Sequence, residues 1–238
     1  MAISMTNSRE QTPEHGMQHA GGRPRAYNSK SMNERRARII AATLELISQE
    51  GLGGVTIRNV SKRAGVALRT LYLYFESREA IIGVGIKEFF SRQTSSGPGA
   101  KGPATLEEFL ARMDWLAAVV LEARSYSAAL APVFLSANLD SGIYEILRGI
   151  ALSHVHPFID KVLAASNAKL GPHARELLEL QLANSEYAVI NDVLSKRLPE
   201  EHLATFLKCV VLTTILGHLP RQSRELRATL EQLQASLN

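Results

Sequence analysis

The stretch "RAGVALRTLYLYFESREA", residues 63–80, places Arg69, Thr70, Tyr72 and Tyr74 within a few positions of one another, directly after Gly65. Just ahead of it, "IRNVSKRA" (57–64) has Ile57, Val60 and Ala64 at helical spacing, and the Thr56 hydroxyl is suited to cap the N–H groups that follow. A second short helix is expected from about Ala67 to Tyr74, with Val66 and Leu71 turned toward a small core and Leu68, Arg69 and Tyr72 left outward. Two short helices joined by "AGVA" have the form of a helix-turn-helix, whose second helix lies in a DNA major groove with its N-terminal residues at base edges. Arg can fork onto guanine, and Thr or Tyr hydroxyls can hold phosphate oxygens. The competing reading is a helical hairpin packed on the rest of the chain, with Tyr72 simply buried.

Helical patterning continues on both sides. From Asn33 to Ser48, Ile39, Ala42, Thr43, Leu46 and Ile47 recur at three and four residues, with Arg35, Arg36, Arg38 and Glu45 outward. Gly51 supplies a stop, because glycine enters left-handed backbone cheaply. Ser77 is an N-cap for a fourth helix carrying Ile81, Ile82, Ile86 and Phe89. The Gly/Pro/Ser-rich "SSGPGAKGP" (95–103) is the obvious joint. Beyond it, helices are expected near 105–124, 126–138, 141–165 (interrupted by Pro157), 173–197, 200–218 and 221–236, with no alternating strand pattern. The fold class is therefore all-α. Its expected organisation is a disordered basic arm at 1–32, a helix-turn-helix domain at 33–92 and a helical bundle at 93–238.

The 238 residues are 45% hydrophobic and 21% charged, which suits a globular protein with a real core. No run of about 18 uncharged apolar residues is present, so no membrane partner is expected. The N-terminal stretch lacks the apolar region of a secretory signal, and the single Cys209 fits a reducing cytoplasm, which is the expected location. Charge is unevenly spread. Residues 1–91 hold 13 Lys/Arg against 8 Asp/Glu, a net +5, and the remainder holds 14 against 15, a net −1. A basic excess confined to the helix-turn-helix end points to a polyanion, or else to a solvated basic face.

The segment "RIIAATLELISQEGLGGVTIRNVSKRAGVALRTLYLYFESREAII" (38–82) resembles, without a gap, the N-terminal domain of the tetracycline-repressor (TetR) family. The resemblance rests on "IIAATLELI", Gly51, Thr56, the "AGV" turn, "TLYLYF" and "SREAII" taken together. It implies a homodimeric transcriptional regulator whose C-terminal bundle dimerises and binds a small-molecule effector. By position, it gives Thr56 a capping and phosphate role and Arg58 a contact to base or backbone. Ala67, Leu68, Arg69 and Tyr72 take groove-facing positions, and Thr70, Tyr74 and Arg78 take phosphate positions. Ala67 departs from the usual Ser, Thr or Asp cap, which costs about 1 kcal/mol locally. Leu68 suits a thymine methyl, leaving Arg69 as the main sequence-discriminating residue. "GGRPR" (21–25) resembles short minor-groove arms, with Arg23 and Arg25 as the contacts; a merely basic tail reads equally well.

In the C-terminal half, the segments 173–197 and 200–218 are apolar on more than one face. Leu180, Ala183, Tyr187, Ile190 and Leu194 form one stripe of the first, and Leu182, Val189 and Val193 another. A helix with two apolar faces needs two partners. Together with the resemblance, this points to a homodimer through these segments, holding two heads over a palindromic operator. Sensor candidates are Met113, Trp115, Phe134, Tyr144, His154, Asn184 and Tyr187, although for each of them a place in the core is the stronger reading. The many Ala and Leu suit a hydrophobic effector. "HVHP" (154–157) invites a metal reading, but helical positions two apart face different ways, so no metal and no cofactor are expected. No G-x-S-x-G, H-E-x-x-H or Gly-rich phosphate loop is present, and an enzyme is not expected. The expected function is a ligand-responsive repressor; the alternative is a chromosome-organising DNA-binding factor on the same fold without an inducer.

Overall fold

A computed structural model of the chain describes residues 25–94, 97–100, 102–219 and 223–237. The head consists of α1 (Arg25–Gly54), α2 (Ile57–Ala64), α3 (Leu68–Tyr74) and α4 (Arg78–Thr94). The body consists of α5 (Leu106–Glu122), α6 (Arg124–Phe134), α7 (Ser141–Ser153), α8 (His156–Ala165), α9 (Pro172–Leu194), a 3₁₀ turn at Glu200–His202, α10 (Leu203–His218) and α11 (Arg224–Ala235). The described residues are all-α, without strands. None of these helices is by itself long and apolar enough to cross a membrane.

Helix α1 begins at Arg25, so residues 25–32, expected within the arm, continue the helix; the rest of that arm lies outside the described residues. Gly51 has φ 69° and ψ −173°, a break that bends the chain before a short turn through Gly54. The stripe read at 33–48 is the head's inner face, with Ile39, Leu46 and Ile47 buried against Val60, Leu71, Ile82 and Ile86. Thr43, also fully buried, donates its hydroxyl to the Ile39 carbonyl at 2.8 Å, which lets a polar residue sit inside that face.

Head and body share one continuous core. Helix α4 packs on both α1 and α7, and α6 packs between α1 and α9. Helix α9 lies along α10, which also touches α5 and α11. Thr105 and Glu108 form a reciprocal capping box at the start of α5, and Asp140 caps α7 by accepting from the Ile143 N–H at 3.1 Å. The segment expected at 141–165 is two helices. The break falls at residues 154–155, and Pro157 occupies the first turn of α8, where its missing N–H costs nothing. Gly102, at φ 90°, lies so close to the Pro157 ring that a Cβ would collide with it. Gly102 is thus seated on the α7–α8 corner.

Candidate functional site

The helix-turn-helix is fixed from both sides of its turn. Thr56 is extended, and its Oγ1 accepts from the Asn59 N–H at 3.1 Å, while the Asn59 amide donates to the Gly54 carbonyl at 2.9 Å. Gly65 closes α2 in left-handed backbone (φ 63°, ψ 40°), and the Ser61 hydroxyl donates to the Val66 carbonyl at 2.6 Å. Ala67 then enters α3 extended, with no side-chain cap. Only Leu71 of α3 is fully buried; Leu68 is 47% exposed, Tyr72 61% and Leu73 75%. Arg58 and Arg69 are exposed as well. A short helix that turns three large apolar groups and an arginine to solvent has an incomplete surface, suited to a partner with both a polar edge and methyl groups.

The phosphate-side residues divide. Thr70 and Tyr74 are half-buried, and Tyr74 packs beside Phe75 with ring centroids 6.4 Å apart. Arg78 is differently employed from the expected phosphate contact. Its Nε donates to the Val55 carbonyl and an Nη to the Leu52 carbonyl, both at 2.5 Å, and its other Nη pairs with Glu79 at 2.9 Å. It ties the first residue of α4 to the turn between α1 and α2. Arg23 lies outside the described residues, and Arg25 opens α1. Leu73, unremarked in the sequence, is the most exposed large apolar residue of α3.

The sensor candidates fall into separate places in the body. Phe134 stacks on Tyr144 (5.1 Å) and on Tyr187 (4.1 Å), and the Tyr187 hydroxyl donates to the Leu147 carbonyl at 3.0 Å. Met113 is fully buried in the core, and Asn184 is exposed, away from any interior wall. Trp115 lies under the Arg112 guanidinium at 4.3 Å, and His154 is completely buried beside the same arginine. Arg112 donates from Nε and Nη2 to His154 Nδ1 at 3.2 and 3.0 Å, and from Nη1 to the Pro98 carbonyl at 3.2 Å. With Nδ1 as acceptor, the imidazole proton sits on Nε2, which has no hydrogen-bond partner among the described residues. Burial, reinforced by the adjacent Arg112 charge, holds His154 down to about 3, so it remains neutral. His156 turns instead toward Glu179, 3.3 Å away, so the two histidines of "HVHP" do not converge.

Glu186 was not singled out from the sequence. It is 5% exposed on α9, and no described residue gives its carboxyl a hydrogen bond. Burial, only partly offset by Arg112, pushes it up to about 8. With Tyr187 it lines a cavity of about 30 Å³ whose walls come from α4, α5, α6, α7 and α9. The signal was present: Glu186 lies at helical spacing from Leu182, Ala183 and Ile190, all buried, and an acid is seldom buried among such neighbours without a partner.

Residues 39–83 match the family described as bacterial regulatory proteins, tetR family. The chain is 40% identical over 80 residues to the HTH-type transcriptional repressor KstR of Rhodococcus jostii, a match covering 34% of this chain and 38% of that protein. A KstR of Mycolicibacterium smegmatis is 41% identical over 64 residues, 27% of this chain and 31% of the relative. The chain therefore matches less than two fifths of the length of these relatives. Among solved structures, a tetR-family transcriptional regulator from Streptomyces coelicolor aligns with a TM-score of 0.55 at 17% identity, covering 85% of this chain and 89% of that one. The regulator FadR from Bacillus subtilis, solved in complex with stearoyl-CoA, aligns with a TM-score of 0.53 at 20% identity, covering 74% and 97%. Those likenesses establish a shared fold across head and body.

Proposed function

From the premise that residues 39–83 match the tetR family of bacterial regulatory proteins, we propose that the chain is a transcriptional regulator that represses by occupying a palindromic operator as a homodimer. The observation that carries the reading is α3 itself, held by the Thr56 cap and the Gly65 turn, with Leu68, Arg69, Tyr72 and Leu73 turned to solvent. Arg69 discriminates bases, Leu68 and Leu73 offer apolar contact to thymine methyls, and Arg58 and Thr70 position the unit on the backbone. The +5 charge of residues 1–91 adds attraction that does not depend on sequence.

Dimerisation runs through α9 and α10. Leu177 and Leu180 of α9 are 48% and 39% exposed, and Phe206 and Val210 of α10 are half-buried, leaving an apolar surface beside the core. A small molecule entering the body releases the operator by displacing α4, which touches the cavity through Phe90 and grips the α1–α2 turn through Arg78. Such a ligand acts only by its differential affinity for the displaced state. FadR, of the same fold, holds stearoyl-CoA, which supports ligand binding in this architecture. No catalytic role is assigned.

The test is selection of bound sequences from a random duplex pool by the full chain. Enrichment of an inverted repeat with half-site centres roughly 34–36 Å apart, or a multiple of that, is the expected result. Recovery of no preferred sequence would refute the reading.

A further inference from the structure

We propose that the effector is a largely apolar molecule carrying one hydrogen-bond-donating head group, an alcohol or an amine, that docks on the Glu186 carboxyl. This rests on the reading that the body holds a small molecule, and it specifies what that molecule must offer. The cavity beside Glu186 is walled mainly by apolar side chains, Phe90, Leu116, Val120, Leu130, Ile150 and Ile190, with Ser127 as a further polar residue of the lining. The hydroxyl of Tyr187, which also lines it, is already committed to the Leu147 carbonyl. Glu186 is thus a buried acid with no hydrogen bond from the described residues, beside a space that no side chain fills. A buried carboxyl in that condition costs stability and gains by accepting a donor.

The charged and titratable groups facing Glu186 are few. Helix α5 supplies Arg112, and the tyrosines Tyr187 and Tyr126 lie close enough to feel one another, both raised above their ordinary values by burial. Helices α4 and α7 contribute Phe90 and Ile150 to this wall. A carboxylate-headed ligand would have to bury its own charge in this apolar pocket, a cost that an alcohol does not carry, and is disfavoured. The space of about 30 Å³ holds no more than a water, so a larger guest must displace part of this lining, to which α4 contributes Phe90 and α7 Ile150. Those residues sit on α4 and α7, which pack together, so occupancy by an apolar body is coupled to the position of α4.

The experiment measures binding of 1-decanol, decylamine and decanoate, each below micelle formation, to the full-length protein and its Glu186→Leu and Glu186→Gln variants, by thermal shift and calorimetry. The alcohol or the amine is expected to bind the wild type at least tenfold more tightly than decanoate, and to lose that advantage in Glu186→Leu. Glu186→Leu removes a buried acid in favour of an apolar group and is expected to fold; Glu186→Gln, which keeps an acceptor, retains alcohol binding. The two head groups separate by pH: amine affinity rises between pH 6 and 8 as Glu186 ionises, whereas alcohol affinity does not. Equal binding of all three, undisturbed by Glu186→Leu, would overturn the role of Glu186 while leaving a ligand-binding body intact. Binding of none would overturn the proposal as well. Release of a selected operator by whatever ligand the protein does bind is scored separately and tests the regulator reading alone.

Discussion

Glu186 and His154 depart from their ordinary values in opposite directions, and stability is expected to follow pH accordingly. Glu186 is raised from 4.5 to about 8, so the folded state keeps a proton that the unfolded chain loses; its contribution is complete below pH 4.5 and is lost as pH rises through 8. His154 is lowered from 6.5 to about 3, so its contribution is complete above pH 6.5 and is lost as pH falls through 3. Between 4.5 and 6.5 the two slopes cancel. Wild-type stability to denaturant is therefore expected to drop by roughly 1–2 kcal/mol between pH 6.5 and 8, a drop absent from Glu186→Gln; identical pH profiles would contradict the burial of this acid. Ala67→Ser supplies the oxygen missing at the start of α3 and is expected to stabilise the protein by about 0.5–1 kcal/mol, read as a rise in melting temperature. Residue roles set by near neighbours were legible in the sequence: the Thr56 cap, the Gly65 turn, the outward Leu68 and Tyr72. Arg78 was not, because the carbonyls it holds lie 23 and 26 positions upstream. Glu186 was legible only as an acid among apolar neighbours at helical spacing; its burial is decided by four other helices.

At the scale of elements, α4 links the two halves. Its first residue is bonded to the α1–α2 turn, its middle packs on α1 and α7, and its Phe89 stacks on Tyr126 of α6 at 4.0 Å. Arg78→Ala is expected to free the Leu52 and Val55 carbonyls, speeding hydrogen exchange across residues 52–60 and costing about 1–3 kcal/mol. Lysine at this position is not expected to rescue it, since one ammonium lacks the fork that reaches both oxygens. Exchange at 52–60 unchanged in Arg78→Ala would show the contact to be incidental. Element existence and type followed from the 3.6-residue pattern, and the Gly and Pro punctuation placed most ends within a few residues. The misplacements have physical causes. Helix α1 runs back to Arg25 through a polar stretch that has no apolar period to announce it, and Pro157 begins α8 instead of kinking a longer helix.

At the scale of the molecule, the open questions are assembly and recognition. Leu177→Glu combined with Leu180→Glu places charge on the apolar face of α9 and is expected to yield a folded monomer by sedimentation, with operator binding reduced at least a hundredfold; a dimer in that variant would move the interface elsewhere. Two-faced apolar helices were visible in the sequence, but which face meets the core was not. Leu180, grouped there with Ala183 and Tyr187, is on the open side, whereas Leu182 is inside. Recognition is tested most directly by titrating wild type and Arg69→Ala against the selected operator and a scrambled duplex of equal length at one salt concentration. If α3 reads DNA, Arg69→Ala loses roughly 1–3 kcal/mol on the operator while its binding to the scrambled duplex and its dimerisation stay almost unchanged. Undiminished affinity and preference in that variant would contradict the assignment of α3 as the reading helix.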